Sequence, residues 1–284
     1  MIIWLASYPK SGNTLVRSML SAYFFSKDGN FNFDVIKNIK QFPSLELFER
    51  LNIDPKDNEE IIKNYVNVQA AINDKKSIQF LKTHSYLFNI NNNPFTDLNN
   101  TLGAIYVVRD PRNVVTSYAH HETISVEDSF NRMINNVNYG GNINSNKASE
   151  KTKVYLGSWS GNFKSWKSFK QIGKYLLIKY ENLINSKEET FEEILQFIHD
   201  LKGIKFEMNQ SKFQNAIKTT SFENMKNKEE KEGFLESKIN KNTGEKIPFF
   251  NLGKKNNWEK LLKPEMIKKI EKSFENEMRE LGYL

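Results

Sequence analysis

Ile2-Ile3-Trp4-Leu5-Ala6-Ser7-Tyr8-Pro9-Lys10-Ser11-Gly12-Asn13-Thr14-Leu15-Val16-Arg17-Ser18-Met19-Leu20-Ser21-Ala22-Tyr23 changes character twice within one short passage. Ile2 to Tyr8 is a largely apolar, β-rich run of strand length, suited to burial on both faces. Pro9 to Thr14 is a polar break. Beyond it Leu15, Val16, Met19, Leu20 and Tyr23 recur at helical spacing, with Arg17, Ser18 and Ser21 between them, which makes an amphipathic helix. Strand, short polar loop and helix in that order is the signature of an α/β fold.

The pattern returns further along. Ser77 to Leu81 runs into Lys82-Thr83-His84, Leu102 to Val108 into Arg109-Asp110-Pro111-Arg112, and Tyr175 to Lys179 into Tyr180-Glu181-Asn182. In an open parallel sheet the strand C-termini share one edge, and ligands bind in the crevice there. Distant polar clusters are therefore expected at a common rim. Helices are expected after Glu188-Glu189, with Phe191, Ile194, Leu195, Phe197 and Ile198 on one face, and over Pro264 to Leu281. Asn138 to Lys153 and Lys226 to Lys246 are rich in Asn, Lys, Glu and Gly and read as irregular, mobile segments. No fixed-period repeat and no Pro- or Ser-rich linker divides the chain, so one domain over residues 1–284 is expected.

Composition narrows the chemistry. Among 284 residues, 13% are aromatic and 38% hydrophobic, enough for a sizeable core and unlike a disordered polymer. No apolar run approaches the ~18 residues of a spanning helix, and the N-terminus has no basic residue ahead of its short apolar run, so no integral membrane segment and a cytoplasmic location are expected. The absence of cysteine removes disulfides and thiolate chemistry. His84, His120, His121 and His199 lack the spacing of a metal motif, so no metal is expected. The net charge of +7 suits an anionic partner, and equally the solvated lysine-rich faces of many proteins. Arginine occurs only at 17, 50, 109, 112, 132 and 279, and an Arg in so Lys-biased a chain points to a planar fork for phosphate or carboxylate.

Two segments carry the chemistry. Pro9 to Thr14 sets a glycine-containing loop, a Lys and several hydroxyls at a helix N-terminus, which makes an anion cradle; the same residues also suit an ordinary capped turn. It is not the G-x-x-x-x-G-K-[ST] loop, because Lys10 precedes Gly12 and the first Gly is missing. In Arg109 to Ser117, Asp110 as N-cap and Pro111 at the first helical position start a helix directly after the strand. Ser117 then lies about 9 Å along it, and Arg109 with Ser117 can grip one phosphate. A capped helix with an incidental Arg is the plainer reading.

With these residues in hand, the chain resembles the cytosolic-type sulfotransferases that use 3′-phosphoadenosine 5′-phosphosulfate (PAPS), and most of all bacterial members. Tyr8-Pro9-Lys10-Ser11-Gly12-Asn13-Thr14 is similar to that family's 5′-phosphosulfate loop, and Ile105 to Tyr118 to its 3′-phosphate element. Lys82-Thr83-His84, Gly157-Ser158-Trp159, Tyr180-Glu181-Asn182-Leu183, Thr220-Ser221-Phe222 with Met225-Lys226, and Gly253 followed by Trp258 continue the likeness in family order. The fold so implied is a three-layer P-loop-like α/β fold with a central, mainly parallel sheet flanked by helices.

The resemblance implies in-line transfer of a sulfuryl group from PAPS to an acceptor hydroxyl, leaving 3′-phosphoadenosine 5′-phosphate (PAP), without metal. By it His84 is the general base, a role suited to an imidazole with an unperturbed pKa near 6.5. Lys10 stabilises the leaving phosphate, Lys82 assists at the sulfuryl group, and Ser117 contacts the 3′-phosphate and steadies Lys10. The nucleotide would be held by Lys10, Ser11, Gly12, Asn13, Thr14, Arg109, Ser117, Tyr180, Thr220, Phe222 and Gly253. His120, His121 and His199 are left as surface or structural.

The chain also departs from the family. Its usual Arg-Lys-Gly triplet reads Asn251-Leu252-Gly253, so Lys254 or Lys255 is expected to supply the charge late. Leu15 replaces the usual Trp, removing a flat partner for adenine, and Asn256-Asn257 replaces Gly-Asp. No dimer motif of the animal enzymes is recognisable after Trp258. The acceptor, a small-molecule or glycan hydroxyl, is expected to lie against residues between Phe24 and Asn73 and the two irregular segments. Phe24, Phe25, Phe31, Phe33, Phe42 and Phe48 there form either its apolar wall or the packing of two small helices. Two rivals are a P-loop kinase with Ala104 to Asp110 as its Mg²⁺-binding strand, and a non-catalytic basic module for nucleic acid or anionic polysaccharide. The kinase is opposed by the misplaced Lys10 and the lack of Gly-Lys-Thr, the basic module has no use for His84, and no nucleic-acid partner is expected.

Overall fold

Alternation and register settle the sheet. The chain's computed structural model describes residues 1–54, 57–73, 77–140, 154–240 and 243–284. Its main sheet is built from β1 (Ile2–Ser7), β2 (Lys40–Gln41), β3 (Gln79–Thr83), β4 (Thr101–Val108) and β5 (Tyr175–Lys179), in the order β2-β3-β1-β4-β5. Every pairing in it is parallel, with Ala6 opposite Thr83, Ser7 opposite Val107 and Val108 opposite Lys179. β1 is buried along its whole length, as an unbroken run requires. The helices used below are α1 (Asn13–Phe25), α2 (Pro111–Glu122), α3 (Trp159–Lys167), α4 (Lys187–Lys202), α5 (Gln210–Thr219), α6 (Phe222–Glu232) and α7 (Pro264–Ser273). Among the described residues no helix is long and apolar enough to cross a membrane.

The described chain forms two compact units, each drawing on three separate passages. One comprises Met1–Tyr8, Ile39–Val108 and Asn135–Phe206; the other comprises Pro9–Asn38, Arg109–Ile134 and Glu207–Leu284. The first holds the sheet with helices on both of its faces. Successive strand residues point to opposite sides, so Gly103 and Tyr106 of β4 face opposite ways. Tyr106 donates its hydroxyl hydrogen to Asn162 of α3 at 2.8 Å. Gly103 packs under α4, where an added Cβ would fall 2.6 Å from Leu201 Cδ1. On the α3 side Trp4 gathers Phe42, Phe95 and Trp166 at ring distances of 5.6, 5.1 and 6.1 Å. Buried aromatic rings of this kind weigh heavily in the energetics of a core.

The second unit is mainly helical. α1 is tied to the start of α5 by the Asn209 amide donating to Tyr23 Oη and by Lys212 Nζ donating to Ser26 O, both at 2.9 Å. α2 is capped by Asp110, whose side chain accepts from the Arg112 amide, with Pro111 at its first position, as the sequence predicts. Three expectations are corrected. Lys226 to Lys246 is not irregular throughout: α6 runs to Glu232, and Lys238–Ile239 pairs with Lys246–Ile247 as a two-stranded ribbon. Ser221 caps α6, and Lys226–Glu230 and Lys228–Glu232 support it at i,i+4 spacing; its apolar side is short, which hid it. The C-terminal helix breaks at Phe274, whose backbone leaves helical geometry with φ −120 as its ring is buried, so a second short helix spans Glu275–Glu280. The early phenylalanines divide as well: Phe42 and Phe48 pack with Tyr65 in the sheet unit, while Phe31 and Phe33 join Phe234 in the other. Most of the Asn138 to Lys153 segment, residues 141–153, lies outside the described residues.

Candidate active site

The loop leaving β1 is shaped by its backbone. Lys10 and Gly12 have positive φ, 64 and 106, and left-handed positions separated by one residue gather amide N–H groups on one side of the chain. A non-glycine residue held this way carries strain of about 1–3 kcal/mol, so Lys10 is held by its surroundings. Gly12 is the N-cap of α1; it offers no side-chain cap, and the first turn of α1 contains no acidic residue. The positive end of the helix dipole thus meets no anion from its own first turn. Beside it the hydroxyl of Ser11 is buried and has no hydrogen-bond partner among the described residues, an arrangement that costs free energy unless a ligand oxygen satisfies it.

Other parts of the same unit hold this loop. Arg109, buried at the end of β4, donates from Nη1 to the carbonyl oxygen of Lys10 at 3.2 Å. This one bond joins the two segments that the sequence singles out for phosphate. The Lys10 ammonium sits 3.7 Å from the centre of the Phe249 ring. Thr14 donates its hydroxyl hydrogen to Glu236 at 3.0 Å, and Arg17 donates to the other oxygen of that carboxylate at 2.6 Å. Burial lowers the pKa of the Arg17 guanidinium, and Glu236 opposes that shift; the group remains charged at any physiological pH.

α2 is bonded to the segment that follows Gly253. Thr116, next to the half-buried Ser117, donates to Asn256 at 2.7 Å; the Asn256 amide donates to Asn113 O at 3.0 Å, and the Trp258 amide to Asn113 Oδ1 at 3.0 Å. The asparagine pair that departs from the family's Gly-Asp is therefore structural, since Asn257 also caps the helix beginning at Trp258. Gly253, at φ 54, lies against Phe222: an added Cβ would fall 2.7 Å from the ring. Only glycine fits there. Thr220 is buried and donates its hydroxyl hydrogen to Ala216 O at 2.6 Å, so it can only accept from a further group. Lys254 and Lys255 are both exposed on the single turn Gly253–Lys255.

Arg112 and Asp110 are occupied with each other. Arg112 Nη2 meets Asp110 at 2.7 Å and Tyr283 O at 2.8 Å, Nη1 reaches Glu271 at 2.6 Å, and the guanidinium lies 4.0 Å from the Trp258 ring centre. A carboxylate that caps a helix and is forked by an arginine is poorly placed to hold Mg²⁺, which counts against the kinase reading. Among the described residues no group of three or more His, Cys, Asp or Glu is arranged to hold a metal ion.

In the sheet unit, His84 follows β3 beside Ser7, the last residue of β1. Its Nδ1 lies 2.9 Å from Ser7 O and 3.1 Å from Ser7 Oγ. A carbonyl only accepts, so Nδ1 carries a hydrogen, and in the neutral imidazole the lone pair is on Nε2. The His84 backbone is fixed as well, since Asn162 Nδ2 donates to His84 O at 3.0 Å and to Leu156 O at 2.8 Å. Tyr106 completes the buried amide's bonds. Burial pushes the Tyr106 phenol well above its ordinary pKa, so it stays a donor. Lys82 is buried one strand repeat before His84, and Tyr180 is half-buried at the end of β5. All of these stand at the C-terminal edge of the sheet.

Lys10, Ser11, Gly12, Asn13, Thr14, Arg109, Ser117, Thr220, Phe222, Gly253 and Lys254 thus lie in one unit, and His84, Lys82 and Tyr180 in the other. Sequence reasoning missed Ser7, Asn162, Glu236 and Phe249. Asn162 left one usable trace, a polar residue in the Trp159 to Trp166 helix with aromatic neighbours. Glu236 left none, because its partner Arg17 lies in a different passage.

The sequence matches the sulfotransferase domain family over residues 2–282. It is similar to the luciferin sulfotransferase of Photinus pyralis, 26% identical over 278 residues that cover 95% of this chain and 69% of the relative. Among solved structures, mouse sulfotransferase SULT7A1 complexed with PAP superposes with a TM-score of 0.58 at 19% identity, covering 98% of this chain and 84% of that one. Retinol dehydratase in complex with retinol and PAP gives a TM-score of 0.60 at 19% identity, with 98% and 81% covered. These structures share the three-layer P-loop-like architecture. With the family match running almost from end to end, the chain belongs to the sulfotransferases.

Proposed function

We propose that this sulfotransferase acts as a single catalytic domain that moves a sulfuryl group from PAPS to the hydroxyl of a small molecule, and that the loop after β1 and the end of β4 hold the donor. The observation that carries this reading is the bond from Arg109 to the Lys10 carbonyl, which ties a 3′-phosphate candidate to a 5′-phosphosulfate candidate. The uncapped Gly12, the buried Ser11 hydroxyl without a partner and the close fit of Gly253 on Phe222 suit a doubly phosphorylated nucleotide with a flat base. PAPS, when bound, supplies an electrophilic sulfuryl group on a phosphate leaving group.

The chain's own groups then have distinct tasks. Ser11, Gly12, Asn13 and Thr14 bind the 5′-phosphate side with backbone amides and hydroxyls. Arg109 and Ser117 bind the 3′-phosphate, with Lys254 or Lys255 adding charge. Tyr180, Thr220 and Phe222 receive the adenine. Lys10 faces the departing oxygen, Lys82 the sulfuryl oxygens, and His84 takes the acceptor proton at Nε2 while Ser7 holds Nδ1. A small apolar acceptor is favoured by the names of the luciferin relative and the retinol-bound neighbour.

Labelled PAPS incubated with a panel of phenols, sterols, lipid alcohols and sugars tests the reading; label should pass to a member of the apolar classes, and transfer to none of them with intact PAP binding would remove the acceptor assignment. Arg109→Ala should weaken PAP binding more than about tenfold, or 1.4 kcal/mol, through loss of a charge-assisted phosphate contact. Unchanged affinity in calorimetry would take Arg109 out of the donor site.

A further inference from the structure

A lysine that stabilises a leaving phosphate needs a fixed place and an undiminished charge. Its long stem works against the first, since a free lysine side chain has about 2 kcal/mol of rotamer entropy to lose. An aromatic face orients the cation through its quadrupole and leaves the net charge in place. Lys10 is held in this way, its Nζ 3.7 Å from the Phe249 ring centre.

Three rings hold this one in turn. Phe234, Phe250 and His121 meet it at 5.2, 5.1 and 5.7 Å with interplanar angles of 76, 73 and 86°. Its backbone is fixed by a buried carboxylate: the amides of Phe249 and Phe250 donate to Glu229 at 2.7 and 2.9 Å, and Ser237 donates its hydroxyl to the same group. Glu229, only 2% exposed, is otherwise unused by the chemistry, and an unpaired buried carboxylate would be costly. Three donors on one buried anion make it the staple of the segment that carries Phe249. All of these residues belong to the same unit as Lys10.

We propose that Phe249 is a positioning residue for sulfuryl transfer, presenting its face to the Lys10 ammonium, and that Glu229 sets Phe249 in place. This rests on the reading of Lys10 as the cation at the leaving phosphate, and the test separates the two. Single-turnover rates at saturating PAPS are measured for Phe249→Leu, Phe249→Tyr, Lys10→Met and the Phe249→Leu, Lys10→Met double variant, with melting temperature as a check on folding. Phe249 is half-buried, so leucine keeps its apolar packing while removing the π face.

Phe249→Leu is expected to slow transfer about tenfold with PAP affinity within about twofold of the parent, and Phe249→Tyr to stay within about threefold. In the K10M background Phe249→Leu should change the rate by less than about twofold, because the group it positions is gone. Glu229→Gln should act in the same direction as Phe249→Leu and be equally silent in that background. An equal loss from Phe249→Leu with and without Lys10, an equal loss from Leu and Tyr, or no loss at all would overturn the positioning role. A Lys10→Met variant at parental rate would instead overturn the Lys10 assignment on which it stands.

Discussion

His84→Ala should lower turnover about a thousandfold, within the span that a positioned general base contributes, and leave PAP affinity within about twofold of the parent. The asymmetry follows from which partner each group serves. His84 acts on the acceptor's proton, whereas the donor's phosphates are assigned to the loop after β1 and to Arg109. The tautomer supports the role, because Ser7 O lies 2.9 Å from Nδ1, which in the neutral imidazole puts the lone pair on Nε2. Asn162 adds rigidity by holding the His84 carbonyl. Transfer of label from PAPS at non-saturating acceptor, with PAP calorimetry alongside, checks both halves. A variant with parental turnover would remove His84 from the mechanism, and one that also loses PAP would recast it as a nucleotide ligand.

Lys10→Met should lower kcat by about 10²–10³, the cost of removing one preorganised donor from developing negative charge. Methionine keeps the length and apolar body of the side chain and deletes only the ammonium. The loop itself should persist, because the Arg109 bond is to the Lys10 carbonyl and the Thr14 and Arg17 bonds to Glu236 do not involve this side chain. The variant should accordingly melt close to the parent and still bind PAP. A kcat within twofold of the parent would show that positive charge at the leaving oxygen comes from elsewhere.

Much of this site could be read from residues in order, and the limits of that reading are physical. β1, the loop and α1 declare themselves because the apolar period changes from continuous to helical across Pro9 to Thr14. Asp110-Pro111 marks the start of α2 through local capping chemistry alone. The Ser7–His84 pair is invisible to such rules: 77 residues separate them, and only the parallel register of β1 with β3 sets them side by side. Glu236 on Arg17 and Phe249 under Lys10 depend likewise on where a returning chain lies. α6 was hidden for another reason. Its buried positions are Met225 and Glu229, and a carboxylate facing inward breaks the apolar stripe that pattern reading relies on.

The phenylalanines between Phe24 and Phe48 teach the same lesson in reverse. Closeness in sequence suggested one cluster, yet Phe42 packs with Trp4 and Phe95, while Phe33 stacks on Phe234 at 4.7 Å. Aromatic residues follow the nearest available core, and this stretch supplies two.

The central claim is a nucleotide site that binds both phosphates of PAP with backbone amides, hydroxyls and cations. Calorimetry of the full chain with PAP in the presence of EDTA, set against ATP with Mg²⁺, tests it most directly. One PAP per chain, bound without metal and at least about a hundredfold more tightly than ATP with Mg²⁺, is the predicted result. Binding of ATP with Mg²⁺ and none of PAP would contradict it.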